Sequence, residues 1–143
     1  MENSIRHEPA LSPDDLEKFF ILRANAGDVE GLVALYEPSA VIACGNGQIV
    51  IGTEAIRRFF AELLATQPQF ALGEQSPSLQ SDDLALTSSR SGNGSVTAEV
   101  ARRQSDGRWL WAVDQFVINP KPEDLASFDF IPNKREVSSN LVL

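Results

Sequence analysis

The order in which its segments arrive constrains this chain most. Two short capped helical stretches meet at Asn25-Ala26-Gly27-Asp28, an apolar hairpin follows at 40–51, and a third helix opens at Gly52-Thr53. The rest is a succession of strand-like stretches ending at 108–118. Helices first, then strands joined by links of only a few residues, define an α+β architecture, because such short links join antiparallel neighbours.

The local signals are specific. Ser12 reads as an N-cap, with Pro13 at the first helical position and Asp14 and Asp15 complementing the helix dipole. Leu16, Phe19, Phe20 and Leu22 approach helical spacing, and Gly27 supplies the left-handed residue that stops the helix. Asp28 caps a second helix with Val29, Leu32, Val33 and Tyr36 on its apolar face, and Pro38 ends it. Residues 40–44 and 48–51 form a hairpin across Gly45-Asn46-Gly47. Thr53 caps helix three, whose stripe is Ile56, Phe59, Phe60, Leu63 and Leu64, with Gln67-Pro68 closing it. Strands are predicted near 69–79, 84–90, 95–104 and 108–118, and Pro77 marks an edge or a bulge in the first of these.

With 143 residues the chain fits one hydrophobic core. We divide it into a mobile N-terminal arm over 1–11, a folded domain over 12–119 and a C-terminal extension over 120–143. A net charge of -8 repels phosphate backbones, which argues against nucleic acid as a partner. The single cysteine, Cys44, rules out an internal disulfide and fits a reducing, cytoplasmic setting. No basic-then-apolar leader and no run of about 18 apolar residues stands in the sequence, so no membrane partner is expected. One Cys and one His leave no spacing for a metal site, and we expect neither metal nor cofactor.

The order of elements, with the strings Asn25-Ala26-Gly27-Asp28, Gly31-Leu32-Val33-Ala34-Leu35-Tyr36, Gly52 to Phe60 and Asp106-Gly107-Arg108-Trp109, resembles the nuclear transport factor 2-like superfamily. The resemblance is to its SnoaL-like and ketosteroid isomerase-like members and covers about residues 12–119. It implies three N-terminal helices packed on a curved, mainly antiparallel sheet, a cone-shaped roll around an apolar cavity open at one end. Many members pair through the outer sheet face. Members include steroid isomerases, polyketide cyclases, dehydratases, hydrolases and noncatalytic modules, so function must be argued from the site.

Enolising a ketone takes a base and donors for the enolate oxygen; ketosteroid isomerase uses a carboxylate for the first and a Tyr with a protonated Asp for the second. Aligned by the resemblance, Phe20 falls at the isomerase Tyr, Cys44 at the base, and the second donor lies near Val100. A phenyl ring and an isopropyl group donate nothing, and a thiol in apolar surroundings is a poor base at neutral pH. Isomerisation by that route is disfavoured. Asp114 on the last strand resembles the acid/base position of the SnoaL-like cyclases. Unbroken alternation puts it on the inner face with Leu110, Ala112, Phe116 and Ile118, where its pKa should rise.

We therefore expect a ligand pocket of Phe20, Tyr36, Cys44, Phe60, Ala112, Asp114 and Phe116, with Asp114 as the one catalytic candidate. Ser88, Ser89 and Arg90 are weaker polar contacts, and Cys44 lacks a partner to form a thiolate, since the only histidine, His7, is far away in sequence. Alternation turns Trp109, Trp111 and Val113 outward, and exposed apolar groups of that size mark an interface, so a homodimer through them is expected. Three functions remain in view. One is a pocket protein that binds a small apolar molecule with Asp114 as polar anchor. Another is a cyclase, dehydratase, isomerase or hydrolase using Asp114 as acid or base. The third is a noncatalytic dimerisation module.

Overall fold

The computed structural model describes residues 7–45, 47–92 and 94–118, so the expected extension over 120–143 lies outside the described residues. Helix α1 (Asp15–Asn25) and helix α2 (Val29–Val33) are followed by β1 (Tyr36–Ala43), β2 (Ile49–Ile51) and α3 (Thr53–Leu64). The strands β3 (Glu74–Gln75), β4 (Leu79–Ser81), β5 (Leu84–Thr87), β6 (Ser89–Arg90), β7 (Val96–Arg103) and β8 (Trp109–Ile118) follow. One mixed sheet runs β2-β1-β8-β7-β5-β4, with β6 beside β7 and β3 beside β6. All these pairs are antiparallel except β1 with β8, the first and last strands in chain order.

The helix boundaries follow from their caps. Ser12 Oγ accepts from Asp14 N and Ser12 O from Asp15 N, so the chain turns at Ser12, but the N-cap of α1 is Asp14 in place of Ser12. Gly27 has φ +70° and ends α1. Asp28 caps α2 by accepting from Gly31 N at 2.9 Å, and a Cβ at residue 31 would stand 2.3 Å from Asp28 Oδ2. A larger residue at 31 would push the Asp28 cap and the Arg23 side chain aside. Gly52, with φ +90°, is the N-cap of α3 in place of Thr53. Ile56, Phe60 and Leu64 are buried from α3, as its apolar stripe requires.

Three expectations need correction. Tyr36 opens β1 instead of closing α2, because Ala34 already ends that helix. The segment 7–11 is no mobile arm: His7 Nε2 meets Asp28 Oδ2 at 2.8 Å, Glu8 O accepts from Arg23, and Ala10 O accepts from Trp109 N. Trp109 and Trp111, expected to look outward, are both buried in the core. The cause is a bulge in β8. Ala101 pairs with Trp111 while its neighbour Val100 pairs with Val113, so one extra β8 residue is accommodated around Ala112. Alternation changes phase there, and Trp109, Trp111, Asp114 and Phe116 all turn to the helical side. Val113 does face outward, half exposed.

Among the described residues no helix is long and apolar enough to cross a membrane.

Candidate functional site

The core is built from rings. Phe20 of α1 packs edge-on against Phe60 of α3, centroids 5.8 Å apart, and stands 5.8 Å from Phe116 and 6.2 Å from Trp111, both on β8. Tyr36 lies against Phe60 and Trp111 at 5.7 and 5.4 Å. Rings at these separations and tilts interact favourably beyond the area they bury. Above this aromatic floor a cavity of about 440 Å³ opens between α1, the inner sheet face and two loops.

One rim loop carries Gln69 to Gly73 and the other includes Ser91, Gly92 and Ser95. Asn25 fixes the first of them: its Nδ2 donates to Phe70 O at 2.9 Å and its Oδ1 accepts from Phe70 N at 2.7 Å. The string Asn25-Ala26-Gly27-Asp28 thus acts structurally, ending α1, starting α2 and pinning Phe70 over Phe20 at 6.3 Å.

Three carboxyl groups enter this cavity, Glu17 from α1, Glu99 from β7 and Asp114 from β8. Glu99 and Asp114 are paired across the strands and both almost fully buried. Tyr36 Oη donates to Asp114 Oδ2 at 2.5 Å, and Asp114 Oδ1 is buried with no hydrogen-bond partner among the described residues. A second chain supports Glu99: Trp111 Nε1 donates to Thr87 Oγ1 at 3.2 Å, and Thr87 in turn donates to Glu99 Oε1. Ser89 Oγ lies 3.5 Å from Glu17 Oε2.

The proton affinities follow from this setting. Burial, then the Glu99 charge, raises Glu17 to about 7. Burial also raises Glu99, against the pull of hydrogen bonds from Thr87 and Thr97. Asp114 is pushed well above the carboxylate range, first by burial and then by Glu99, with the Tyr36 hydrogen bond opposing. Tyr36 is pushed up by burial and by the acids around it. A neutral Asp114 that accepts from Tyr36 at Oδ2 carries its proton on Oδ1, and can donate it to a guest; ionised, the same atom accepts.

Of the residues singled out in the sequence, Phe20, Asp114 and Phe116 line the cavity, and Tyr36 reaches it only through Asp114. Phe60 lies beneath the floor, and Ala112 and Cys44 do not line it. Cys44 is half-buried with its thiol pKa raised by burial, and His7 pairs with Asp28, so the structure brings no base to the thiol. Ser89 faces the cavity, Ser88 Oγ donates to Thr97 O, and Arg90 is exposed.

Sequence reasoning missed Glu17, Glu99, Phe70 and Trp111. Glu99 stands one residue before Val100, the position counted from the following turn, so that strand does carry an inward acid. Strict alternation on β7 between Thr97, Glu99 and Ala101 was the signal available. Glu17 sits between apolar helix positions and reads as solvated in sequence.

No protein-family model and no curated protein sequence matches the chain. Solved structures do. A cystatin-like-fold domain from Nostoc punctiforme aligns with TM-score 0.65 at 17% identity, covering 90% of this chain and 91% of that one. A ketosteroid isomerase-like protein from Erwinia carotovora atroseptica aligns at 0.60 and 18% identity, over 75% and 94%. A nuclear transport factor 2-like protein from Pseudomonas putida aligns at 0.61 and 16% identity, over 77% and 86%. The chain has the nuclear transport factor 2-like fold, an α+β cone with helices on a curved sheet.

Proposed function

We propose that this chain is a pocket protein that binds a small, largely apolar molecule, with Asp114 anchoring its polar end. The observation that carries the reading is Asp114 Oδ1, buried at the cavity wall without a partner among the described residues. A buried polar atom left unpaired costs about 1–3 kcal/mol, which a guest hydroxyl or carbonyl recovers. Walls of Phe20, Phe70, Trp111 and Phe116 suit an apolar body, and about 440 Å³ is within the usual range for small-molecule sites. Thermal-shift screening of hydrophobic ketones, hydroxy compounds and amines tests this. Hits should shift the native protein and lose most of their shift on Asp114→Asn. A screen without shifts, or one blind to Asp114, ends the reading.

A second reading is an enzyme of the cyclase, dehydratase, isomerase or hydrolase type on the same pocket. It is favoured by the presence in one cavity of acids whose proton affinity burial raises: Glu17, raised to about 7 and only partly buried, suits a base, while buried Asp114, raised well above the carboxylate range, suits an acid. Turnover of a thermal-shift hit, lost in Glu17→Gln and in Asp114→Asn, supports it; binding without turnover rejects it.

For assembly we propose a homodimer through a row that keeps Val113 but not the buried Trp109 and Trp111. Leu79, Leu86, Val100, Val113, Val41 and Ile51 lie opposite one another in successive strands from β4 to β2. Leu79, Leu86, Val113 and Ile51 are each about half or more exposed. The long strands β1, β8 and β7 carry the middle of this row, and the shorter β2, β5 and β4 extend it to either side. A second copy is the occupant that such a self-matching aliphatic row suits. Only monomer by sedimentation at micromolar concentration rejects it.

A further inference from the structure

We propose that the guest of this cavity carries a cationic ammonium group at its polar end, on an apolar body. The inference rests on the pocket reading above and adds the charge of the ligand.

The first ground is the composition of the wall. Glu17, Glu99 and Asp114 arrive from three elements, and no Lys, Arg or His lines the cavity among the described residues. Elsewhere in the described chain acids are commonly met by cations, as in Arg57 with Glu30 and Glu54, Arg102 with Glu37, and Arg103 with Asp83. Among the described residues none of the three cavity acids takes part in an ion pair. An anionic guest here would face three acids with nothing to neutralise it.

The second ground is Asp114 Oδ1, an unpaired oxygen in a side chain 3% exposed. A neutral hydroxyl has a single proton to donate, so it satisfies only one acceptor among the three acids. An ammonium group has three donors, so it answers Oδ1 and still addresses Glu99 or Glu17, which line the same cavity. Charge-assisted hydrogen bonds of this kind are about twice as strong as neutral ones.

The third ground is the aromatic lining. Phe20, Phe70, Trp111 and Phe116 present π-faces and edges to the same space, and a cation over such rings is attracted by their quadrupoles. A bare metal ion is a poorer match, because among the described residues no three Asp, Glu, His or Cys groups come close enough to hold one. Ammonium on an apolar body suits the rings and the acids together.

Binding is then linked to protons. The titratable groups facing the site are Glu17, Glu99 and Asp114, with the Tyr36 hydroxyl on Asp114 and the Cys44 thiol within reach of its charge. A cation favours their ionised forms, so its entry expels protons that burial had retained.

Isothermal titration at pH 7 in phosphate and in Tris, with 2-phenylethylammonium, 2-phenylethanol and 3-phenylpropanoate as probes of one shape and three charges, tests the proposal. The ammonium should bind about tenfold or more tightly than the alcohol, the carboxylate should not bind, and the two buffers should report net proton release. Glu17→Gln, at the half-buried edge of the site, and Asp114→Asn should each narrow the gap between ammonium and alcohol to within about threefold. Equal or tighter binding of the alcohol overturns the charge preference and leaves the pocket reading intact. Binding of none of the three overturns both. Ammonium binding that releases no protons and survives both substitutions overturns the assignment to these acids.

Discussion

Carboxylates occupy two settings in this protein. On the outside, Asp83 lies 2.8 Å from Arg103 and Asp106 lies 3.0 Å from Arg108, while the more covered Glu37 lies 2.9 Å from Arg102, with each of these guanidinium groups open to water. In the cavity, Glu17, Glu99 and Asp114 have hydroxyls and rings for neighbours and no cation among the described residues. The outer pairs are screened by water, so losing one changes little. The inner acids have exchanged water for phenyl and indole surface, and their protonation responds to whatever else enters. A surface ion pair is replaceable, whereas an unpaired acid in a hollow is a standing free-energy deficit that a ligand relieves.

The largest expected effect breaks the comparison by pH. Glu17 titrates at about 7 in the fold, against an ordinary 4.5. Its contribution is fully present below pH 4.5, and is lost as pH rises through 7, because the unfolded chain has by then released a proton that the folded one retains. Chemical denaturation of the native protein should therefore show stability falling between about pH 5 and 8. Glu17→Gln should remove up to about 3 kcal/mol of that fall. A pH profile unchanged by the substitution would refute the buried character of this acid.

Next, Tyr36→Phe deletes the hydrogen bond to Asp114 Oδ2 and leaves both carboxyl oxygens without a partner among the described residues. Denaturant midpoints should report a loss of about 2 kcal/mol at about pH 6, and ligands found by thermal shift should lose affinity with it. On the outside, Arg102→Ala separates Glu37 from its guanidinium, and the loss should stay under about 1 kcal/mol and shrink further in high salt. A larger loss there than at Tyr36 would erase the distinction between the two settings. The smallest effect on the fold is expected from Val113→Asp, which places a charge on the outer apolar row at a half-exposed site. Monomer stability should change by less than about 0.5 kcal/mol, while sedimentation should move from dimer to monomer.

Much of the architecture was legible because local chemistry alone specifies it. Gly27 and Asp28 mark where α1 stops and α2 starts, the α3 stripe from Ile56 to Leu64 states which face is buried, and Gly107, with φ +93°, makes the turn before β8. The order of these elements carried the nuclear transport factor 2-like fold. Asp114 was legible as an acid among apolar neighbours, and it lies at the cavity wall.

Tertiary structure alone decided which way β8 faces on either side of Ala112. The run Trp109-Leu110-Trp111-Ala112-Val113 is apolar throughout, so it has no alternation from which a phase can be read. Its register is set by β7 and β1 across the sheet, and the bulge that turns both indoles inward exists only in that pairing. The meeting of Glu17, Glu99 and Asp114 is of the same kind. Each is an ordinary acid in its own segment, and Glu17 and Glu99 lie on a helix and a strand at opposite ends of the fold's element order. Sequence dictates caps, turns and stripes because those are contacts between near neighbours; a shared cavity is a contact between strangers, and only packing introduces them.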